Sequence, residues 1–295
     1  MEPLSIVVLL VMGTIAGAIN AAVGSGSLLT LPVLMAIGIP PGVAVRTNTV
    51  GMFFSTLGSC VGYRREIVAE KQHMPRLLAT ATVGATVGAI LLLVSPASAL
   101  DVVVPVLIVL ALLLVVFQKR ITRALRTRKG RGGAPSADDA PSGAAPTESA
   151  GKPESAENPV SATGAIDASS ERSPLQSKGL LGSLGAASVY GGYFTAAQGV
   201  LYLGILGVFT GRTMGSVNGI KNLMSLGVNL AAAVVYVVAF FLIDAEIVWI
   251  GSAVIAAGSL LGGFFGAHLA KRMPEWMLRG VIVVVALAAL IRQFV

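Results

Sequence analysis

The sequence predicts an all-α polytopic membrane protein, two inverted repeats with discontinuous helices that cross the bilayer in eight to ten segments. Composition is the first observation behind this. Of 295 residues, 55% are hydrophobic and only 12% charged, and the mean hydropathy is +0.82, far from the balance of a soluble domain. The second is a pair of apolar runs, each interrupted by glycine and followed by a short apolar piece and a polar cluster. The third is that one shift of about 174 positions lays the first pair onto the second, the mark of an internal repeat.

Residues 1–118 form the first repeat. Its runs of spanning length are Leu4–Ala22, Val43–Tyr63, Leu77–Val94 and Val102–Phe117. The opening stretch MEPLSIVVLLVMGTIAG starts with an acidic rather than a basic residue, so it is expected to be a first helix and not a cleaved leader. Between the first two runs lies GAINAAVGSGSLLTLPVLMAIGIPPGVAVRTNT, residues 17–49. Here Gly24 and Gly26 are expected to break the helix. The piece after them, Ser27–Ile37, would be roughly 17 Å long as a helix, too short for a hydrocarbon core of roughly 30 Å. A short helix bounded by glycines and followed by polar groups is how the discontinuous helices of secondary transporters look in sequence. Taken alone, the stretch also fits a tight loop between two ordinary helices.

Residues 119–178 are a different material. After the basic run Lys119, Arg120, Arg123, Arg126, Arg128, Lys129 and Arg131, the chain is rich in Ala, Pro, Ser, Gly and charge, with almost no large apolar residue. Such a segment buries too little surface to offset chain entropy, so a disordered cytoplasmic linker is expected.

Residues 179–295 form the second repeat, with spanning runs Leu180–Ala197, Leu223–Leu242, Ile247–Ala270 and Met277–Ile291. Its interrupted stretch is ASVYGGYFTAAQGVLYLGILGVFTGRTMGSVNGIKN, residues 187–222, with the break expected at Gly199 and the short piece at Val200–Phe209. Under the shift Gly17 falls on Gly191, Val43 on Val217, Asn48 on Asn222, and Gly84 and Gly88 on Gly258 and Gly262. The short pieces are either re-entrant or crossing, which leaves eight or ten segments.

Charge sets the expected threading. Arg64, Arg65, Lys71 and Arg76, the start of the linker, and Lys271, Arg272 and Arg279 are basic; Glu2, Asp101, Asp244 and Glu246 mark the opposite ends. The basic loops and the linker are therefore expected to be cytoplasmic, with both termini outside. Each half has an odd number of segments, so the halves are inverted. Trp249 and Trp276 are expected as interface anchors. The GxxxG spacings at Gly84/Gly88 and Gly258/Gly262/Gly266 suit close helix packing within the bundle, or a homodimer face.

The net charge of +7 belongs to loops and is not a nucleic-acid-binding face. The single cysteine, Cys60, rules out a disulfide framework, and no metal-ligand cluster, HExxH, GxSxG or pair of buried aspartates is present, so neither catalytic residues nor a cofactor are expected. His73 reads as a loop residue and His268 as structural. None of the 14 carboxylates lies within an apolar run, which disfavours a carboxylate-based cation carrier. Within the apolar halves lie Arg46 and Lys221, at near-equivalent repeat positions. A charge in a span costs a few kcal/mol or more, so it marks a pathway or site, unless it sits at a helix end and snorkels. Around these two lie Ser25, Ser27, Thr47, Asn48, Thr49, Gln198, Asn218, Asn222 and Asn229. Fixed cations, amide donors and helix N-termini converging at mid-depth suit an oxyanion. The substrate-binding set read from the sequence is Arg46, Thr47, Asn48, Ser25, Gln198, Asn218, Lys221 and Asn222. A small anionic substrate and the lipid bilayer are the expected partners, with a proton as candidate coupling ion.

These stretches carry a resemblance. GAINAAVGSGSLLTLPVLMAIGIPPGVAVRTNTV, YGGYFTAAQGV, NGIKNLMSLGVNLAA and the late GSLLGGFFGAHLAKRM resemble the signature stretches of the TauE/SafE family of sulfite exporters. The resemblance covers both halves and excludes the linker. It implies a plasma-membrane exporter of small sulfur-containing anions such as sulfite or organosulfonates, working by alternating access. Uptake, or channel-like passage of another small anion, is the alternative. Ser25, Ser27, Thr195 and Gln198 stand where the family is usually richer in glycine, so larger polar groups would line this site.

Overall fold

The computed structural model describes residues 3–72, 74–130, 177–210 and 214–270, and all its regular elements there are helices. In order they are α1 (Pro3–Ala22), α2 (Ser27–Ala36), α3 (Pro41–Gly62), α4 (Arg64–Ala69), α5 (Met74–Val94), α6 (Ala97–Gly130), α7 (Lys178–Phe194), α8 (Gln198–Phe209), α9 (Met214–Ile243) and α10 (Trp249–Ala270). Among the described residues, five helices are long and apolar enough to cross a membrane: α1, α5, the Ala97–Phe117 part of α6, the Gly215–Ile243 part of α9, and the Trp249–His268 part of α10. α3 is long enough but carries Arg46-Thr47-Asn48-Thr49, and α7 is only 17 residues. Leu10, Val87, Val109, Val234 and Phe265 stand exposed along these helices, as lipid-facing positions do.

Three boundaries differ from the sequence expectation. α6 continues as helix to Gly130, so the basic start of the segment expected as linker is helical; the rest of that segment lies outside the described residues. α9 starts at Met214, well before Leu223, because the polar cluster at 218–222 forms its first turns rather than a loop. The basic loop after α3 contains the short α4. The expected last span, its basic loop and Trp276 lie outside the described residues, as does His73. Trp249 opens α10, is 42% exposed, and meets Phe240 edge to face with ring centroids 5.3 Å apart.

The short helices double back. Asn20, near the end of α1, bonds Ser55 of α3 (3.2 Å), whereas Thr30 of α2 bonds Asn48, two turns closer to the start of α3. The chain therefore runs along α3 in α1, turns at the break, and returns in α2. In the second half Ser188 of α7 bonds Tyr202 of α8 at 2.7 Å, across the break between them. Both short helices thus fold back along the helix that precedes them.

Packing exchanges one helix between the halves. α10 lies against α1 and α3, and α5 lies against α7 and α9. Glycine makes each pairing close. A Cβ on Gly262 would stand 1.9 Å from the Thr14 carbonyl oxygen of α1, and one on Gly88 would stand 2.0 Å from that of Val189 in α7. The GxxxG stripes are consumed inside the bundle. Two apolar cores follow. One contains Leu9, Leu28, Val45, Met52, Ile108 and Ile255; the other contains Leu77, Leu184, Tyr202, Ile220, Met224 and Val228.

Candidate substrate site at the crossing of two helix breaks

The two breaks touch. The Gly199 amide donates to the Gly24 carbonyl at 3.1 Å, and a Cβ on either glycine would stand 2.4 Å from the other's Cα. No residue larger than glycine fits this crossing without moving a backbone. Gly24 also makes the turn of the first break, at φ +80°, where glycine is unstrained. Gly26 is helical and caps α2, and a Cβ there would stand 2.2 Å from the Ala16 carbonyl oxygen. The second break is not made by Gly199, which lies inside the first turn of α8. Thr195 (φ 60°) and Ala197 (φ 59°) make it, and Gly199 serves the close approach instead.

The third helix of each half reaches to this crossing from opposite sides. Lys221 of α9 is fully buried, and its Nζ donates to the carbonyls of Asn20 and Ala21, both at 3.0 Å. Asn222 donates from Nδ2 to the Ala21 carbonyl at 3.2 Å. These carbonyls end α1, where helical geometry leaves them without intrahelical partners and a cation is favoured. An ammonium has three donors, so Lys221 retains one after capping α1. On the other side Thr49 of α3 meets Thr195, hydroxyl to hydroxyl, at 3.5 Å.

Several buried polar atoms near the crossing have no protein partner: Ser25 Oγ, Asn48 Nδ2, Gln198 Oε1 and Asn222 Oδ1. Their residues are at most 3% exposed. Ser25 and Gln198 adjoin Gly24 and Gly199, Asn222 bonds the residue three before Gly24, and Asn48 precedes the threonine that touches Thr195. Buried polar groups are nearly always paired, and leaving one unpaired costs about 1–3 kcal/mol. A cluster of them around one point can receive a small polar solute with both acceptors and a donor.

The remaining expected residues are placed elsewhere. Arg46 is half-buried and donates from Nε to the Glu246 carbonyl at 2.9 Å, in the α9–α10 connection. Gly219, two residues before Lys221, packs instead on Glu66 of α4. Arg46 is thus held at the α9–α10 connection and Lys221 at the end of α1, and the two are not brought together. Thr47 is committed to α10. Its hydroxyl accepts from the Val248 amide (3.0 Å) and its carbonyl accepts from Ser252 Oγ (2.9 Å). Asn218, half-buried with an unpartnered Oδ1, lies one turn before Asn222. Sequence reasoning missed Asn20, Thr30 and Ser225. The signal for Ser225 was present in the helical spacing of α9; for the other two nothing local marks them, since each acts through a partner in another helix.

Among the described residues the carboxylates lie at helix ends or in connections, away from this crossing, and no group of His, Cys, Asp and Glu that could hold a metal ion is found. Among the described residues, the basic side chain placed at the site is that of Lys221.

Comparison with known proteins finds membrane transporters. The chain is 22% identical over 285 residues to the "Probable membrane transporter protein YfcA" of Escherichia coli K12, covering 97% of this chain and 88% of that protein. It is 33% identical over 102 residues to the "Probable membrane transporter protein ORF9" of Sinorhizobium sp, covering 34% and 39% of the two. No solved structure matches. The family described as "Sulfite exporter TauE/SafE" matches residues 9–292, nearly the whole chain, and the protein belongs to this family of membrane transporters.

Proposed function

We propose that this protein is a secondary transporter that exports a small sulfur-containing anion, such as sulfite or an organosulfonate, by alternating access. The observation that carries the proposal is the crossing of Gly24 and Gly199, with unpartnered polar atoms of Ser25, Asn48, Gln198 and Asn222 gathered around it beside a buried Lys221. The spare ammonium donor, the Asn48 amide and the Ser25 hydroxyl bind the oxygens. The Gln198 and Asn222 oxygens accept from a proton, hydroxyl or ammonium carried by the same solute. An oxyanion that is partly protonated, or a sulfonate with a second polar end, has this mixed demand.

The exchanged packing supports two halves related by inversion, and the charge bias of the sequence supports cytoplasmic basic loops with both termini outside. The bodies that move are then the two packed cores rather than the two sequence halves. Arg46, held at the α9–α10 connection, would act at the outer mouth rather than in the central site.

The test is the thermal stability of the purified protein against sulfite, sulfoacetate, taurine, thiosulfate, sulfate and simple carboxylates. A ligand at a hundred times its Kd stabilises the folded state by about 2.7 kcal/mol. The expected result is a shift with a sulfur anion that is lost in Lys221→Met and in Gln198→Met, while both variants remain folded. A shift with carboxylates alone, or one that survives both substitutions, would overturn the substrate and the site respectively. Saturating flux in vesicles distinguishes a carrier from channel-like passage.

A further inference from the structure

The unpartnered polar atoms do not stop at the crossing. On α9, Asn218 Oδ1, Asn222 Oδ1, Ser225 Oγ and Asn229 Oδ1 all lack a protein partner. Their spacing of four, three and four residues puts them on one face of the helix. The stripe is roughly 16 Å long, half of a hydrocarbon core. It is not a lipid face, because Asn222, Ser225 and Asn229 are at most 3% exposed, whereas Leu230 and Val234 on another side are 48% and 52% exposed. Nor is it the packed face. Val217, Ile220, Met224 and Val228 lie on a different face and join the apolar core shared with α5, α7 and α8.

The stripe thus faces the seam between the two cores. At its near end Asn222 bonds the end of α1; beyond its far end Tyr236, on the same face, donates to the Gly192 carbonyl at 2.8 Å and belongs to the other core. α9 is therefore amphipathic inside the protein, with apolar residues toward one core and amide and hydroxyl groups toward the seam. A single orphan amide is a packing accident; a row at helical spacing is a surface built for water or a hydrogen-bonding solute.

We infer that the Asn218–Asn222–Ser225–Asn229 face of α9 lines the route by which a small hydrophilic anion passes between the α4 end of the bundle and the central crossing. This deepens the proposed function and rests on it for the nature of the solute. The amides and hydroxyl replace hydration shell along the way, and Lys221, one residue before Asn222, supplies the positive potential that favours anions over cations.

The test is thiol labelling of the full chain in membranes, in a Cys60→Ala background. Single cysteines at Asn218, Ser225 and Asn229 are compared with cysteines at Met224 and Val228 on the apolar face. Membrane-impermeant anionic and cationic thiosulfonates of similar size are applied from either side. The expected result is modification of the polar-face cysteines and not of the apolar-face ones, with the anionic reagent faster by about tenfold or more, as charge focusing produces, and that preference lost in Lys221→Met. Inert polar-face cysteines, or equal reaction on both faces, would overturn the route. Equal rates for the two reagents would overturn its anion preference. The readout uses no substrate. Inert cysteines with an intact sulfite shift would sink the route alone, and labelled cysteines without any ligand shift would sink the substrate reading alone.

Discussion

The two helix breaks do the same job with different chemistry. In the first, a glycine takes the left-handed turn at Gly24, and the chain enters α2 through Gly26 without strain. In the second, Thr195 and Ala197 hold left-handed φ values near 60°, a conformation that costs a residue with a Cβ about 1–2 kcal/mol. Such strain persists only where the surroundings over-determine it. Here Ala197 is fully buried, Gln198 lies over Gly191 so closely that a Cβ there would stand 2.0 Å from its Oε1, and Gly199 is locked on Gly24. The first break is thus written locally, and the second is imposed by tertiary packing. The difference also extends to the helix ends before them. α1 is capped from the other half by Lys221 and Asn222, whereas α7 ends on its own Thr195, whose amide donates to Gly191.

The comparison can be broken most sharply at the crossing. Gly24→Ala adds a colliding Cβ and also forces alanine into the left-handed region, so it should cost about 2–5 kcal/mol. Gly199→Ala brings only the collision and should cost about 1–3 kcal/mol. Thermal unfolding of the two purified variants checks the order; equal losses would mean that the φ of Gly24 relaxes freely. Next in size, Lys221→Met removes the donor to the Asn20 and Ala21 carbonyls and should cost about 1–3 kcal/mol in the same assay, without added ligand. An unchanged stability would show that the carbonyls find another partner. Smallest is Ala197→Gly, which relieves the left-handed strain at the cost of greater freedom in the unfolded chain. It should raise stability by about 0.5–1 kcal/mol, and a loss would place the strain elsewhere in the second break.

The same contrast explains what could be read from the residues. Gly24-Ser25-Gly26 announces its own break, because Gly24 takes a left-handed turn that glycine favours whatever it packs against. The second break was expected at Gly199, the glycine in the corresponding place, but that glycine is small for the sake of Gly24, and the turn falls on residues that show no preference for it. Lys221 was legible as a charge within an otherwise apolar half of the chain. That it caps α1 was not, because its partners are carbonyls about 200 positions away, and every residue has a carbonyl. The expected convergence of Arg46 and Lys221 is not seen, because each is held by carbonyls of a different connection: Arg46 by that of Glu246 and Lys221 by those of Asn20 and Ala21.

What the sequence determined by itself is the all-helical membrane architecture, the two short helices and the polar groups on which a site could be built. Hydrophobic length, glycine and charge act on the backbone within a few residues, and their consequences are local. What only the tertiary structure decided is the exchange of α5 and α10 between the halves, the contact of Gly24 with Gly199, and the seam that the polar face of α9 lines. Those depend on which small residues let which backbones approach. A glycine shows that a close approach is permitted, and only its neighbour in space shows what it approaches.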